Sequence, residues 1–192
     1  MEGYSLGWFS KKPSEAKVKG SEAGLLVLNQ IQSEFTFSSY MENGNFRHPP
    51  GFLVDPYIVG FIHGYIIVLA DVSSAARGRT WLQNEANEFV LSAVESALGA
   101  DNINDFIKKP REYRNEEDYK SGYLAANTLI KALYAPSALD PEMPVVKEAN
   151  KLIEERKESF TEFFSKSNTG EILAWAIKEI TIKLHIEKKY LQ

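Results

Sequence analysis

One histidine and one aspartate on the most apolar segment of the chain are the first candidates for acid–base chemistry. His63 lies within the uncharged run 56–70, and Asp71 follows it by eight residues. A carboxylate on the far ring nitrogen can make a histidine a general base. Eight helical residues span about 12 Å, so a direct contact between the two side chains is not expected. The alternative is a core histidine bonded to the backbone or to water, with Asp71 at an exposed helix end.

The turn after this segment combines two guanidinium groups with the expected start of a helix. Arg77 and Arg79 flank a glycine, and Thr80 with the glutamine three residues later matches a capping box. Positive charge beside free backbone N–H groups can hold a phosphate or carboxylate at a helix N-terminus. This pattern predicts a site for a small anionic ligand. The alternative is a pair of solvated arginines next to Asp71 or Glu85.

The composition argues against several other kinds of site. The chain has no cysteine, three histidines and no Glu-x-x-His pair, the motif of carboxylate-bridged metal sites in helical bundles. We therefore expect neither a metal nor a cofactor. A formal charge of −4 opposes nucleic-acid binding, and the longest uncharged run is shorter than the roughly 20 residues that span a bilayer. The absence of cysteine fits a reducing, cytoplasmic location.

Hydrophobic spacing predicts a mainly all-α protein, a helical bundle. We expect a tail over residues 1–20 and a first helix from Ser21 to about Gln32. Asp55 and Pro56 should cap and open a second helix that ends near Ser74. Further helices are expected from the turn at residue 78 to Gly99, over about 115–135 and 144–164, and from Asn168 onward. A short helical turn over 102–107 is expected to end before Pro110.

Two segments are less regular. Near residues 34–48, phenylalanines alternate with polar residues and Asn43-Gly44 is a turn signal, so a short β-hairpin is expected there. From Ile180 to Ile186 the apolar and polar residues alternate as in a strand. We predict a helix for that segment, with a strand as the open alternative.

An internal similarity relates parts of the chain. Residues 57–70 resemble residues 119–132 at an offset of 62, and a Glu-Ala-Asn triplet ends at both Asn87 and Asn150. We interpret this similarity as an old duplication of a helical hairpin, with chance as the alternative. Two retained asparagines beside apolar positions are expected at the edge of the core, with a structural role.

The glycines of the repeated segment predict how the copies meet. Gly60 matches Gly122, and Gly64 matches Ala126. Small residues four apart on a helix let two backbones approach closely, although each glycine costs about 1 kcal/mol relative to alanine. We therefore expect these helices to cross near Gly60 and Gly122 around a pseudo-twofold axis.

The expected organisation is one helical domain over residues 21–192. Hairpin copy one covers 55–99 and copy two covers 115–165, with flanking N- and C-terminal helices. Such a chain fits a non-enzymatic module that binds another protein or forms a homodimer. Its contact surface would come from aromatics that lie outside the periodic segments: Tyr4, Trp8, Phe46, Phe52, Tyr113 and Tyr190.

The alternative function is a small-molecule-binding protein or an enzyme with a cleft between the two hairpins. In this case Arg77 or Arg79 would hold an anion, and His63 would act as acid or base. The two functions differ in one geometric feature. The enzyme requires His63 and Arg79 within about 10 Å of each other around one concave pocket.

Overall fold

The computed structural model describes residues 13–34, 41–42, 45–46 and 49–190. Within these residues the protein is an all-α bundle, as expected, and a π-helical turn at Glu179–Lys183 joins its last two helices. The helices are α1 (Glu15–Glu34), α2 (Pro56–Ala76), α3 (Gln83–Leu98), α4 (Ile103–Tyr113), α5 (Glu117–Tyr134), α6 (Pro144–Arg156), α7 (Thr161–Lys166), α8 (Thr169–Lys178) and α9 (Leu184–Tyr190).

The first helix is longer at its start than the sequence pattern indicates. It begins at Glu15 rather than Ser21, because the Ser14 hydroxyl accepts a hydrogen bond from the backbone N–H of Lys17 at 3.1 Å. The expected tail over 1–20 is therefore helical from Glu15 onward. Residues 1–12 of that tail lie outside the described residues.

Three other boundaries differ from expectation. Pro110 lies inside α4 instead of ending it, and the helix expected over 144–164 is divided by a turn into α6 and α7. The segment after Ile180 is helical and not a strand, through the π turn and α9. Two-residue strands, β1 (Met41–Glu42) and β2 (Asn45–Phe46), pair antiparallel. The rest of the expected hairpin, residues 35–40, 43–44 and 47–48, lies outside the described residues.

Helix α2 is the centre of the bundle. Its start is as expected: the Asp55 carboxylate accepts from the backbone N–H groups of Tyr57 at 2.8 Å and Ile58 at 3.3 Å, and Pro56 opens the first turn. Among the described residues, α2 is long and apolar enough to cross a membrane by length and composition. However, 61% of its apolar window is buried inside the bundle. A core helix passes the same test, and we interpret α2 as one.

Helices α2 and α5 cross at the two matched glycines. A Cβ added to Gly60 would overlap the backbone carbonyl oxygen of Tyr119, and one added to Gly122 would overlap that of Tyr57. Gly60 therefore contacts Tyr119, three residues before Gly122. Gly122 contacts Tyr57, three residues before Gly60. The expected crossing is present, and its contacts are reciprocal, as a local pseudo-twofold axis requires.

A second close crossing joins α1 to α3 and is not anticipated from the sequence. Gly20 lies against the carbonyl oxygen of Phe89, and Gly24 lies against that of Ala93. Both glycines lie on α1 at the same spacing as Gly60 and Gly64. The expected start of the first helix at Ser21 places Gly20 in a tail, so this signal is missed.

The tightest helix pairs are not consecutive in the chain. Helix α1 packs along α3, α2 packs along α5, and α6 packs on α8 rather than on α5. The hairpins of the proposed duplication are therefore not closely packed units, because the glycine faces bring together helices that are distant in sequence. The duplication itself stays a prediction.

Candidate functional site

His63 lines an open groove between α2, α3 and α4. The groove has a volume of about 470 Å³. The Nδ1 atom of His63 is hydrogen-bonded to the Tyr119 hydroxyl at 2.5 Å, and the Tyr123 ring lies edge-on with its centroid 5.8 Å away. Burial lowers the pKa of His63, so the imidazole is neutral at neutral pH.

The hydrogen-bond partner of His63 is thus a phenol and not a carboxylate. Asp71 is exposed at the far end of α2. Burial of the Tyr123 hydroxyl raises the pKa of Tyr123, and the negative charge of Asp71 raises it further. Tyr119 is not singled out as a site residue from the sequence. The contact between Tyr119 and His63 results from the helix crossing. Gly60 contacts Tyr119, and His63 lies one turn beyond Gly60 on the same helix.

The two arginines of the predicted anion site already bind carboxylates. Arg79 makes a bidentate ion pair with Glu85 at 2.8 and 2.9 Å. Arg77 pairs with Glu15 at 3.0 Å, and its guanidinium lies 3.6 Å above the Trp81 ring. One donor, Nη1 of Arg77, is buried without a hydrogen-bond partner in the part of the chain described. This arrangement matches the alternative interpretation, in which the arginines pair with neighbouring carboxylates.

The expected capping box at Thr80 is wrong. Helix α3 begins at Gln83, three residues after Thr80, and the Glu85 carboxylate accepts from the backbone N–H of Leu82 at 2.9 Å. The hydrogen bond from Arg79 and that from Leu82 lower the pKa of Glu85 to about 2. An ionised side chain of the protein therefore occupies the position expected for an external anion.

The anion site stays a prediction that one substitution can test. In Glu85→Gln the carboxylate no longer competes for Arg77 and Arg79. We expect inorganic phosphate to raise the melting temperature of this variant by about 3 °C, the shift that about 1 kcal/mol of binding produces in a chain of this size. Thermal denaturation with and without phosphate measures it. Glu95→Gln, an exposed position on the same helix, is the control, and an equal shift in both variants contradicts a site at the arginines.

The two repeated asparagines do not lie at the core boundary. Asn87 and Asn150 are both exposed. The amide oxygen of Asn87 accepts from Gln83 at 3.1 Å within α3. The position expected for them is wrong, because water can satisfy an exposed amide and no burial is required. Their structural role stays a prediction.

A buried carboxylate with three polar partners is the cluster that sequence reasoning missed. Asp55 is 2% exposed. Its Oδ2 atom accepts from the Tyr190 hydroxyl at 2.6 Å and lies 2.7 Å from Lys189 Nζ and 3.3 Å from His185 Nε2. The ring of Tyr57 stacks on His185 with centroids 4.0 Å apart.

The electrostatics of this cluster indicate a structural clamp. Burial alone raises the pKa of Asp55, but the hydrogen bonds from His185, Lys189 and Tyr190 together hold it well below its ordinary value. A carboxylate that stays ionised across the physiological range is a poor proton donor or acceptor for catalysis. It instead ties α9 to the start of α2. The only local signal was the helix cap, since the partners lie 130 or more residues away.

The described surface carries a cluster of aromatic rings on α7, on α8 and at the residue before α7, which we call the aromatic ridge: Phe160, Phe163, Phe164 and Trp175. The three phenylalanine rings lie 5.4, 5.9 and 5.7 Å from the Trp175 ring, centroid to centroid. Phe160 is 40% exposed. A groove of about 330 Å³ lies on one side, against α6, and one of about 400 Å³ lies on the other, against α5.

These are not the aromatics expected at a surface. Phe52 is fully buried, Tyr190 binds Asp55, and the Tyr113 hydroxyl donates to the carbonyl of Val54 at 3.0 Å. The expectation is wrong for Phe52, because lack of helical period does not mean lack of burial. The side chains of Tyr4, Trp8 and Phe46 lie outside the described residues.

Comparison with models of known protein families, with curated proteins and with solved structures finds no significant match.

Proposed function

We propose that the protein is a non-enzymatic helical module that binds proteins, and that it forms a homodimer through the aromatic ridge. The observation that carries this proposal is the contact of four aromatic rings at the surface, with Phe160 40% exposed. Aromatic side chains are enriched in the cores of protein interfaces. A contiguous exposed apolar patch marks a contact surface more often than a scattered set does.

The shape of this surface, a ridge between two grooves, favours a second copy of the chain as the partner. In a twofold dimer the same patch meets itself. A ridge with a groove on either side is suited to such pairing, because the ridge of one copy can lie in a groove of the other. A single patch then supplies both complementary surfaces.

The charges around the ridge also suit pairing with a copy. Glu154 and Lys157 line the groove against α6, and Glu171 and Lys178 line the groove against α5. Each groove therefore carries one residue of each sign. A twofold rotation can place the lysines of one copy opposite the glutamates of the other. These opposite charges would favour one alignment of the two copies.

Phe160→Asp should convert the dimer to a monomer. A central aromatic contact contributes about 2 kcal/mol to binding, so the dissociation constant should rise about thirtyfold. Sedimentation equilibrium over a range of concentrations measures this change, and circular dichroism checks that the helices are retained.

Leu82→Asp is the matched control, since Leu82 is 62% exposed but lies at the start of α3, away from the ridge. It should leave the dimer unchanged. A wild-type chain that is monomeric at every concentration would overturn self-association, and equal weakening by both variants would overturn the ridge as the interface.

The enzyme alternative has less support. From His63 to the end of α2 at Ala76 is thirteen residues, or about 20 Å of helix, and Arg79 lies beyond that end. The groove at His63 is bordered by Arg111 instead. Acid–base chemistry on an anion held by Arg77 or Arg79 would need a pocket common to both groups. A cytoplasmic location, inferred from the cysteine-free composition, remains part of the proposal.

A further inference from the structure

We propose that the groove between α2, α3 and α4 binds an apolar molecule that carries a carboxylate group. This site is separate from the aromatic ridge on α7 and α8. Its walls are mainly aliphatic and aromatic, and Leu91 and Ile107 expose 44% and 39% of their surface there. Its volume, about 470 Å³, falls within the range of about 300–1,000 Å³ that small-molecule sites occupy.

Arg111 supplies the charge that selects an anion. It is exposed at the edge of the groove, on α4. Its guanidinium makes no ion pair or hydrogen bond with any described residue, whereas the adjacent Glu112 is paired with Lys109 at 2.9 Å. A planar guanidinium presents two parallel N–H donors that match the two oxygens of a carboxylate. Arg111 therefore has the donors for a carboxylate, and no residue in the described part of the chain competes for them.

His63 supplies a second donor in the same groove. A phenol donates to an imidazole nitrogen more readily than it accepts from one, so the Tyr119 hydroxyl donates to Nδ1 of His63. The neutral ring then carries its proton on Nε2. An N–H donor at His63, an amide at Asn87 and the guanidinium of Arg111 all line one largely apolar groove. A few polar groups on apolar walls are the usual composition of a small-ligand site.

A set of probes of matched length tests both the apolar and the charged parts. We expect octanoate to shift the backbone amide signals of α2, α3 and α4 in two-dimensional NMR, with saturation. Octylammonium and octanol, which share the alkyl chain but lack the carboxylate, should bind at least tenfold more weakly, because a hydrogen bond to a charged group is worth about one decade or more in affinity. Acetate, which lacks the chain, should give no saturable shift.

Substitutions then assign the charge to one residue. Arg111→Gln should weaken octanoate binding about tenfold, whereas Arg114→Gln, three residues away and not in the groove, should leave it unchanged. Leu91→Asp, an exposed position, should abolish binding by placing a like charge in the groove without disturbing the core. Equal affinity for the three octyl probes, or equal effects of the two arginine variants, would overturn the proposal. Absence of any saturable octanoate shift in the folded wild type would overturn it as well.

Discussion

Gly60→Ala is expected to destabilise the protein by about 3 kcal/mol, although alanine is the better helix former by about 1 kcal/mol. The added Cβ would overlap the backbone carbonyl oxygen of Tyr119. Neither atom can move alone, because both belong to helix backbones. The whole of α5 must shift away from α2, and the loss of packing extends along the interface. Urea denaturation, with the midpoint and slope fitted together, measures the difference.

A double-mutant cycle distinguishes this crossing from two independent clashes. Gly122→Ala should cost about as much as Gly60→Ala, because its Cβ would overlap the carbonyl oxygen of Tyr57 on the other helix. The double variant should lose about 1 kcal/mol less than the sum, since helices already moved apart accommodate the second methyl group. Full additivity would contradict a shared crossing.

Substitutions at two nearby positions provide comparisons for the loss of stability in Gly60→Ala. Ser121→Ala, exposed on α5 beside Gly122, should change the stability by less than about 0.5 kcal/mol. Gly64→Ala should be intermediate, because its Cβ would lie 2.9 Å from the carbonyl oxygen of Tyr123 and the matching residue on α5 is already alanine. Tolerance of Gly60→Ala at the level of Ser121→Ala would show that the helices are not held at this contact.

The crossing also shows how far spacing alone predicts a fold. Small residues four apart on one helix face indicate a close approach, so Gly60 and Gly122 could be named before the structure. The spacing does not predict which helix packs against the small residues unless that helix carries a second copy of the motif. Gly20 and Gly24 lie against Phe89 and Ala93, which are ordinary core residues with no distinguishing pattern.

The candidate sites also differ in whether their contacts are local in sequence or depend on how distant helices pack. The pairing of Arg79 with Glu85 is local, six residues apart, and sequence reasoning held it as an alternative. The hydrogen bond between His63 and Tyr119 depends on a crossing and becomes predictable once the crossing is known. The partners of Asp55 depend on how α9 folds back across the bundle, and no local pattern near either residue specifies that.

The positions of the surface aromatics depend on tertiary packing for a related physical reason. Lack of helical period predicts exposed rings in irregular segments, yet Phe52 is buried. It lies in the short turn before α2, and its ring packs against that of Tyr190 with centroids 5.6 Å apart. The exposed cluster instead formed where the helix expected to reach Phe164 is broken by a turn before α7. Helical period predicts a buried face only while the helix continues, so the break changed which rings reach solvent.

Asp55→Asn is expected to cost about 3 kcal/mol at neutral pH, the loss found when one partner of a buried charged cluster is removed. The amide retains one oxygen that can cap α2. Its NH₂ group, however, cannot accept from the Tyr190 hydroxyl, and the positive charge of Lys189 loses its counter-ion. Because α9 is tied to α2 through this cluster, we expect α9 to exchange its amide hydrogens faster. Chemical denaturation and hydrogen exchange measure the two effects.

The pH dependence of this loss identifies the charge as its cause. The folded-state pKa of Asp55 lies below that of an unfolded aspartate, about 3.9. The carboxylate therefore contributes its full stabilisation above about pH 4, and the contribution disappears as the pH falls through the folded-state value. The difference in stability between wild type and Asp55→Asn should shrink as the pH falls below about 4. Glu85, whose pKa is lowered to about 2, titrates in both proteins and cancels in the difference.

Asp71→Asn is the control on the same helix, since Asp71 is exposed and should change the stability by less than about 0.5 kcal/mol at every pH. Tyr190→Phe separates the neutral hydrogen bond from the ion pair and should cost about 1.5 kcal/mol, less than the loss of the carboxylate itself. A difference between wild type and Asp55→Asn that persists unchanged at low pH would contradict the buried charge as its cause.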